Sequence, residues 1–118
     1  MNTLHFLAFD LGATSGRTIL GSVSDAGMTL KELTRFPNRI RKIGGHYYWN
    51  LFSLYEQLLE GLKAASRSGR KITSSGIDTC GLDRVCIGKD GSIPGLPRSC
   101  LDPGTKRVRS ALLDRVSP

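Results

Sequence analysis

At 118 residues the chain has room for one small domain, and at 39% apolar and 23% charged residues its composition is globular rather than disordered. No apolar run approaches the ~18 residues of a membrane span, and residues 1–9 lack the basic n-region and small-residue cleavage site of a secretory signal, so the cytoplasm is the expected compartment. The balance of 17 Lys+Arg against 10 Asp+Glu, net +7, suits anionic ligands such as phosphates. The bases are split among residues 35–42, 67–71 and 106–109 without interleaved aromatics, which argues against a nucleic-acid face.

Residues 4–10 (LHFLAFD) read as a buried strand, and residues 11–16 (LGATSG) as a turn. Residues 17–23 and 28–36 read as two further strands, joined by an Asp25-Ala26-Gly27 turn into an antiparallel meander. Residues 37–45 form a basic loop, followed by the aromatic cluster Tyr47-Tyr48-Trp49. Asn50 is a candidate N-cap for a helix whose Leu51, Leu54, Tyr55, Leu58, Leu59 and Leu62 recur at helical spacing as a core face. Ser68-Gly69 ends that helix, and residues 72–79 (ITSSGIDT) read as a fourth strand of buried type, returning parallel to an earlier one. Residues 84–88 and 93–96 are expected to pair across a Lys89-Asp90-Gly91-Ser92 hairpin turn. Val108, Leu112, Leu113 and Val116 fit one face of a last short helix. The expected class is α/β: three antiparallel strands, a helix and a returning strand, the front of a ribonuclease-H-like or actin-like ATPase core, incomplete because a second helix and fifth strand are not evident.

Cys80, Cys86 and Cys100 form no zinc pattern and read as reduced thiols. The segment richest in chemistry is Asp10-Leu11-Gly12-Ala13-Thr14-Ser15-Gly16-Arg17. An acid ends a buried strand, two glycines flank a small polar turn, and a cation opens the next strand. Gly12 and Gly16 let backbone amides approach an anion, Thr14 and Ser15 add hydroxyls, and Arg17 adds fixed positive charge. Asp10 is placed to hold Mg²⁺ through water. The spacing is not that of a P-loop, since no Lys is present and the turn leads into a strand. A hairpin whose Asp merely caps the turn is the plain alternative.

FDLGATSGR (residues 9–17), GGHYYWN (44–50), SSGIDTCGLD (74–83), GLPRS (95–99) and LDPGT (101–105) together resemble the N-terminal part of the FGGY family of carbohydrate kinases, and within it the rhamnulokinases. The resemblance implies ATP- and Mg²⁺-dependent phosphorylation of L-rhamnulose at its 1-hydroxyl. It implies that Ala13, Thr14, Ser15, Gly16 and Arg17 contact ATP phosphates, that Asp10 serves the metal, and that Gly81 touches the sugar, with Asp83 accepting from sugar hydroxyls. The family's catalytic base lies in a second half that this chain does not contain, so no catalytic residue is expected here, and the expected partner is that missing domain. Asp78 is expected to satisfy loop amides. Residues 1–105 then form a partial kinase domain and 106–118 a divergent tail. The chain departs from the family at Cys80, where a Trp is expected, and at Arg84, where a Phe is expected. A non-catalytic remnant or anion-binding module is the rival reading.

Overall fold

A computed structural model describes residues 2–116. Among these, eight elements follow in chain order: strands β1 (Leu4–Leu11), β2 (Ser15–Ser24), β3 (Gly27–Pro37), β4 (Arg41–Ile43) and β5 (His46–Tyr48), helix α1 (Leu51–Arg67), strand β6 (Ile72–Thr79) and helix α2 (Gly104–Val116). They fall into two compact units, residues 2–39 with 51–81, and residues 40–50 with 82–116.

The first unit is a four-stranded sheet in the order β3-β2-β1-β6, with α1 packed on β1, β2 and β3. The meander is antiparallel and β6 returns parallel to an earlier strand, as the sequence leads one to expect, and that strand is β1. Alternation along β1 decides which residues meet the helix. Leu7 pairs with Leu20 and Phe9 with Thr18, and all four side chains are buried. Ala65 of α1 closes on Leu7 and Phe9, with Leu33, Leu58 and Ile72 around them.

Two expectations fail in this unit. The leucine face of α1 is not uniformly core: its buried residues are Gly61 and Ala65, while Tyr55, Leu59 and Leu62 are exposed. The helix touches the sheet at its smallest residues, which lets the backbones approach, and the larger apolar residues of the stripe fall outside that contact. Nor is β6 of buried type: as an edge strand outside the footprint of α1 it is exposed along nearly its whole length. On the side of the sheet away from α1, Phe6, Ile19, Val23, Met28 and Leu30 line an open apolar groove, and the last three are exposed.

Thr18 is the most deeply buried side chain, at 0% exposure, and its Oγ1 has no hydrogen-bond partner among the described residues. A buried hydroxyl without a partner costs about 1–3 kcal/mol of desolvation. Thr18→Val keeps the shape and removes that group, so we expect it to raise stability by about 1 kcal/mol, read as a higher urea midpoint at unchanged slope.

The second unit holds the β4–β5 hairpin, within a stretch read from sequence as loop and aromatic cluster. Gly44 and Gly45 both have positive φ (57° and 83°), which the two-residue turn of this hairpin requires and glycine adopts without penalty. Residues 95–99 lie beside β5: Trp49 N–H donates to Pro97 O at 3.0 Å, Ser99 N–H to Tyr47 O at 2.9 Å, and Tyr48 bridges to Arg98. The expected strands at 84–88 and 93–96 do not form. Their turn does, with Gly88 N–H donating to Ser92 O at 2.7 Å. Pro94 has no N–H to offer a ladder, so the return segment cannot pair. Arg84, expected in an apolar strand, is exposed in this irregular segment. Helix α2 forms, and Val108, Leu112, Leu113 and Val116 on it are all exposed.

Candidate phosphate-binding turn

The β1–β2 register fixes the chemistry of the turn. Asp10 pairs directly with Arg17 and Leu11 with Gly16, so residues 12–15 lie outside the β1–β2 ladder, and Ser15 pairs instead with Pro37 of β3. Directly paired residues share a face. The Arg17 guanidinium accordingly donates to Asp10 Oδ2 in an ion pair that is more than one-third exposed on each side (39% and 37%). Across the parallel pairing Asp78 is in register with Asp10, placing a second carboxylate at the neighbouring strand end.

The turn's carbonyls are tied back into the protein. Ser15 O accepts from Gly12 N–H at 2.9 Å, Thr14 O from Asn38 N–H at 2.9 Å, and Gly12 O from Asn38 Nδ2 at 2.8 Å. The amides of Ala13 and Thr14, both exposed residues, have no partner among the described residues. Three of the four carbonyls of residues 12–15 are thus held within the protein, while the amides of Ala13 and Thr14 are left to donate, an arrangement that an anion can use. Both glycines are sterically required. A Cβ on Gly12 would meet Ser15 O at 2.9 Å, and one on Gly16 would sit 2.1 Å from the Phe36 ring. Gly16 thus serves packing as well as the turn, which the sequence reading did not foresee.

Asp10 stands at the carboxyl end of β1 with Oδ1 outside the ion pair with Arg17. No group of three or more metal-ligating side chains occurs among the described residues. A lone carboxylate suits Mg²⁺, which binds through one or two carboxylates and keeps its waters and phosphate ligands. Gly81 lies two residues beyond β6, at the same end of the sheet as the turn, where open α/β sheets bind ligands.

Asp83 belongs to the second unit, where its Oδ1 accepts from Cys100 N–H at 2.6 Å, so one of its oxygens already holds backbone. That unit is organised around Asp102, which is 4% exposed. Asp102 accepts from Tyr47 N–H at 2.7 Å and Gly104 N–H at 2.9 Å, and its Oδ2 lies 3.2 Å from His46 Nδ1. It thereby joins the β4–β5 hairpin to the start of α2. These bonds, Tyr47 first, then Gly104, then His46, outweigh burial and hold its carboxyl below its ordinary value of 3.8. The sign follows: stability from Asp102 is fully present above pH 3.8 and is lost as pH falls through the lower folded value. Asp102→Asn should flatten the acid limb of a pH series of thermal unfolding, and an unchanged limb would contradict this account.

Asn38 and Asp102 escaped the sequence reading. The signal for Asn38 was available: once Ser15 is placed opposite Pro37, the next residue must lie beside the turn. Nothing local marks Asp102 as an organiser of a hairpin 55 residues earlier.

No family model matches the chain. Rhamnulokinases do. That of Bacteroides thetaiotaomicron is 47% identical over 113 residues, covering 96% of this chain and 23% of the relative. That of Klebsiella pneumoniae strain 342 is 40% identical over 108 residues (90% and 22%), and that of Enterobacter sp. strain 638 is 36% identical over 118 (98% and 24%). The chain therefore spans less than a quarter of the length of these relatives. A match over 98% of the chain necessarily runs past Thr105, further than the motifs alone carry the resemblance. Among solved structures, gluconate kinase from Lactobacillus acidophilus superposes with a TM-score of 0.78 at 11% identity, covering 97% of this chain and 23% of that one. Xylulose kinase from Rhodospirillum rubrum gives 0.73 at 15% identity, covering 98% and 24%. These likenesses establish the fold, the actin-like ATPase core of sugar kinases.

Proposed function

We propose that the chain belongs to the FGGY family of carbohydrate kinases and supplies the phosphate-binding turn of an ATP-dependent kinase that phosphorylates L-rhamnulose at its 1-hydroxyl. The observation that carries the reading is the turn itself: carbonyls tied by Asn38 and Gly12, free amides at Ala13 and Thr14, and Arg17 beside them. Ala13, Thr14, Ser15, Gly16 and Arg17 bind the phosphates of ATP. Asp10 would hold Mg²⁺ through water, and the ion would supply neutralising charge at the phosphates; Arg17, now paired with Asp10, would supply its charge to the same phosphates. Gly81 contacts the sugar.

In this reading the protein works in the cytoplasm, and the catalytic base comes from sequence outside this chain. Phosphoryl transfer needs phosphates, metal, acceptor and base aligned together, so the chain alone turns nothing over. The acceptor is tested by replacing the matched quarter of the Bacteroides thetaiotaomicron rhamnulokinase with this chain. ADP release is then compared for L-rhamnulose, D-xylulose, gluconate and glycerol. Preference for L-rhamnulose is expected; equal or better turnover of another acceptor would overturn the sugar assignment.

A further inference from the structure

At the opposite end of the sheet from the phosphate turn, the start of β1, the start of β6 and the end of α1 enclose an open cavity of about 730 Å³. Its lining includes Thr3, His5, Arg70, Lys71 and Thr73, and no carboxylate lines it. Neither Arg70 nor Lys71 has an ion-pair partner among the described residues. His5 is nine-tenths buried at 9% exposure, a costly position for an imidazole unless its nitrogens are used. Nδ1 lies 2.8 Å from Ser22 Oγ, and Nε2 lies 3.4 Å from Arg70 Nη1. A guanidinium has only donors, so in this contact Nε2 is the acceptor.

We propose that this cavity is a second anion site, distinct from the phosphate turn, that takes a small phosphate monoester. Arg70 and Lys71 supply the charge, with Arg70 able to grip two phosphate oxygens at once. Thr3 and Thr73 supply hydroxyl donors. The long contact between Arg70 and His5 is the one the ligand replaces, because a guanidinium binds the oxygens of a phosphate more strongly than a single ring nitrogen. The volume exceeds what an inorganic phosphate fills and suits an ester of sugar size. One effect opposes the site: α1 ends beside it, and a helix C-terminus repels anions. That end is already blunted, since Ala65 O accepts from both Ser68 N–H at 3.1 Å and Ser68 Oγ–H at 2.6 Å, and Ser66 O from Gly69 N–H at 3.2 Å.

The test is an NMR titration of the 118-residue chain with glucose 6-phosphate and, separately, inorganic phosphate, each with and without Arg17→Gln. We expect saturable shifts at the amides of Arg70, Lys71 and Thr73 and at the His5 ring, tighter for the ester by about tenfold. They should persist in Arg17→Gln, which disables only the phosphate turn. Arg70→Gln and Lys71→Gln, both at exposed positions and safe for folding, should each weaken binding about tenfold. Shifts confined to Ala13 and Thr14, shifts that survive the double Arg70→Gln/Lys71→Gln variant, or equal affinity for the two probes would each overturn the proposal. Because the two sites are read at different residues, failure here leaves the kinase reading untouched.

Discussion

Gly61→Ala is expected to destabilise the first unit by about 2–3 kcal/mol, although alanine is the better helix former by about 1 kcal/mol. The added Cβ would lie 2.2 Å from Thr18 Oγ1 and 2.9 Å from Phe9 Cε1. Both side chains are buried in the strands beneath, so neither can swing away, and α1 must lift off the sheet. Lifting it breaks the Ala65 contact with Leu7 and Phe9 one turn later. Gly61→Val goes further and should abolish cooperative unfolding. Ser66→Ala, on the exposed side of the same helix, is the control and should shift stability by no more than about 0.5 kcal/mol. A double-mutant cycle with Thr18→Ala isolates the clash: removing the hydroxyl should return part of the loss as a favourable coupling above about 0.5 kcal/mol. Additive effects would mean that the helix does not seat where we describe it.

Arg17→Gln is expected to do the reverse, sparing the fold and destroying function. Its ion pair with Asp10 is more than one-third exposed on each side, and such pairs contribute at most about 1 kcal/mol, so the melting temperature should move by no more than a few degrees, roughly. In the chimera with the Bacteroides thetaiotaomicron enzyme, loss of a fixed charge at the transferring phosphate should lower kcat/KM for ATP about 10²- to 10³-fold. Arg17→Lys retains charge without the fork and should recover only part of that. A large drop in stability with little change in activity would reassign Arg17 to a structural role.

The readable parts of this chain are those where local chemistry and tertiary structure agree. The meander was legible because apolar strands alternate with turns such as Asp25-Ala26-Gly27, and a helix before residues 72–79 implied a parallel return, although not that β1 would be the partner. The turn after β1 was legible as a motif, but the way its carbonyls are held was not. Tying the carbonyls depends on Asn38, which arrives through pairing of β2 with β3. Residues 41–48 were hidden behind their basic and aromatic composition, although Gly44-Gly45 is a hairpin signal in its own right. Residues 84–96 erred the other way: an Asp-Gly turn was present, but Pro94 denies it a ladder. The burial of β6 could not be read from its residues, because burial is set by what covers a strand.

The central claim is that this chain carries a working phosphate-binding turn of a sugar kinase. The most direct measurement is coupled ADP release with ATP, Mg²⁺ and L-rhamnulose in three samples: the 118-residue chain, the part of the Bacteroides thetaiotaomicron rhamnulokinase outside the matched region, and the two mixed. We expect silence from each alone and sugar-dependent ADP release from the mixture, lost again when the chain carries Arg17→Gln. Silence from the mixture, with the chain shown to be folded by circular dichroism and bound to its complement by size-exclusion chromatography, would contradict the claim and favour a non-catalytic remnant.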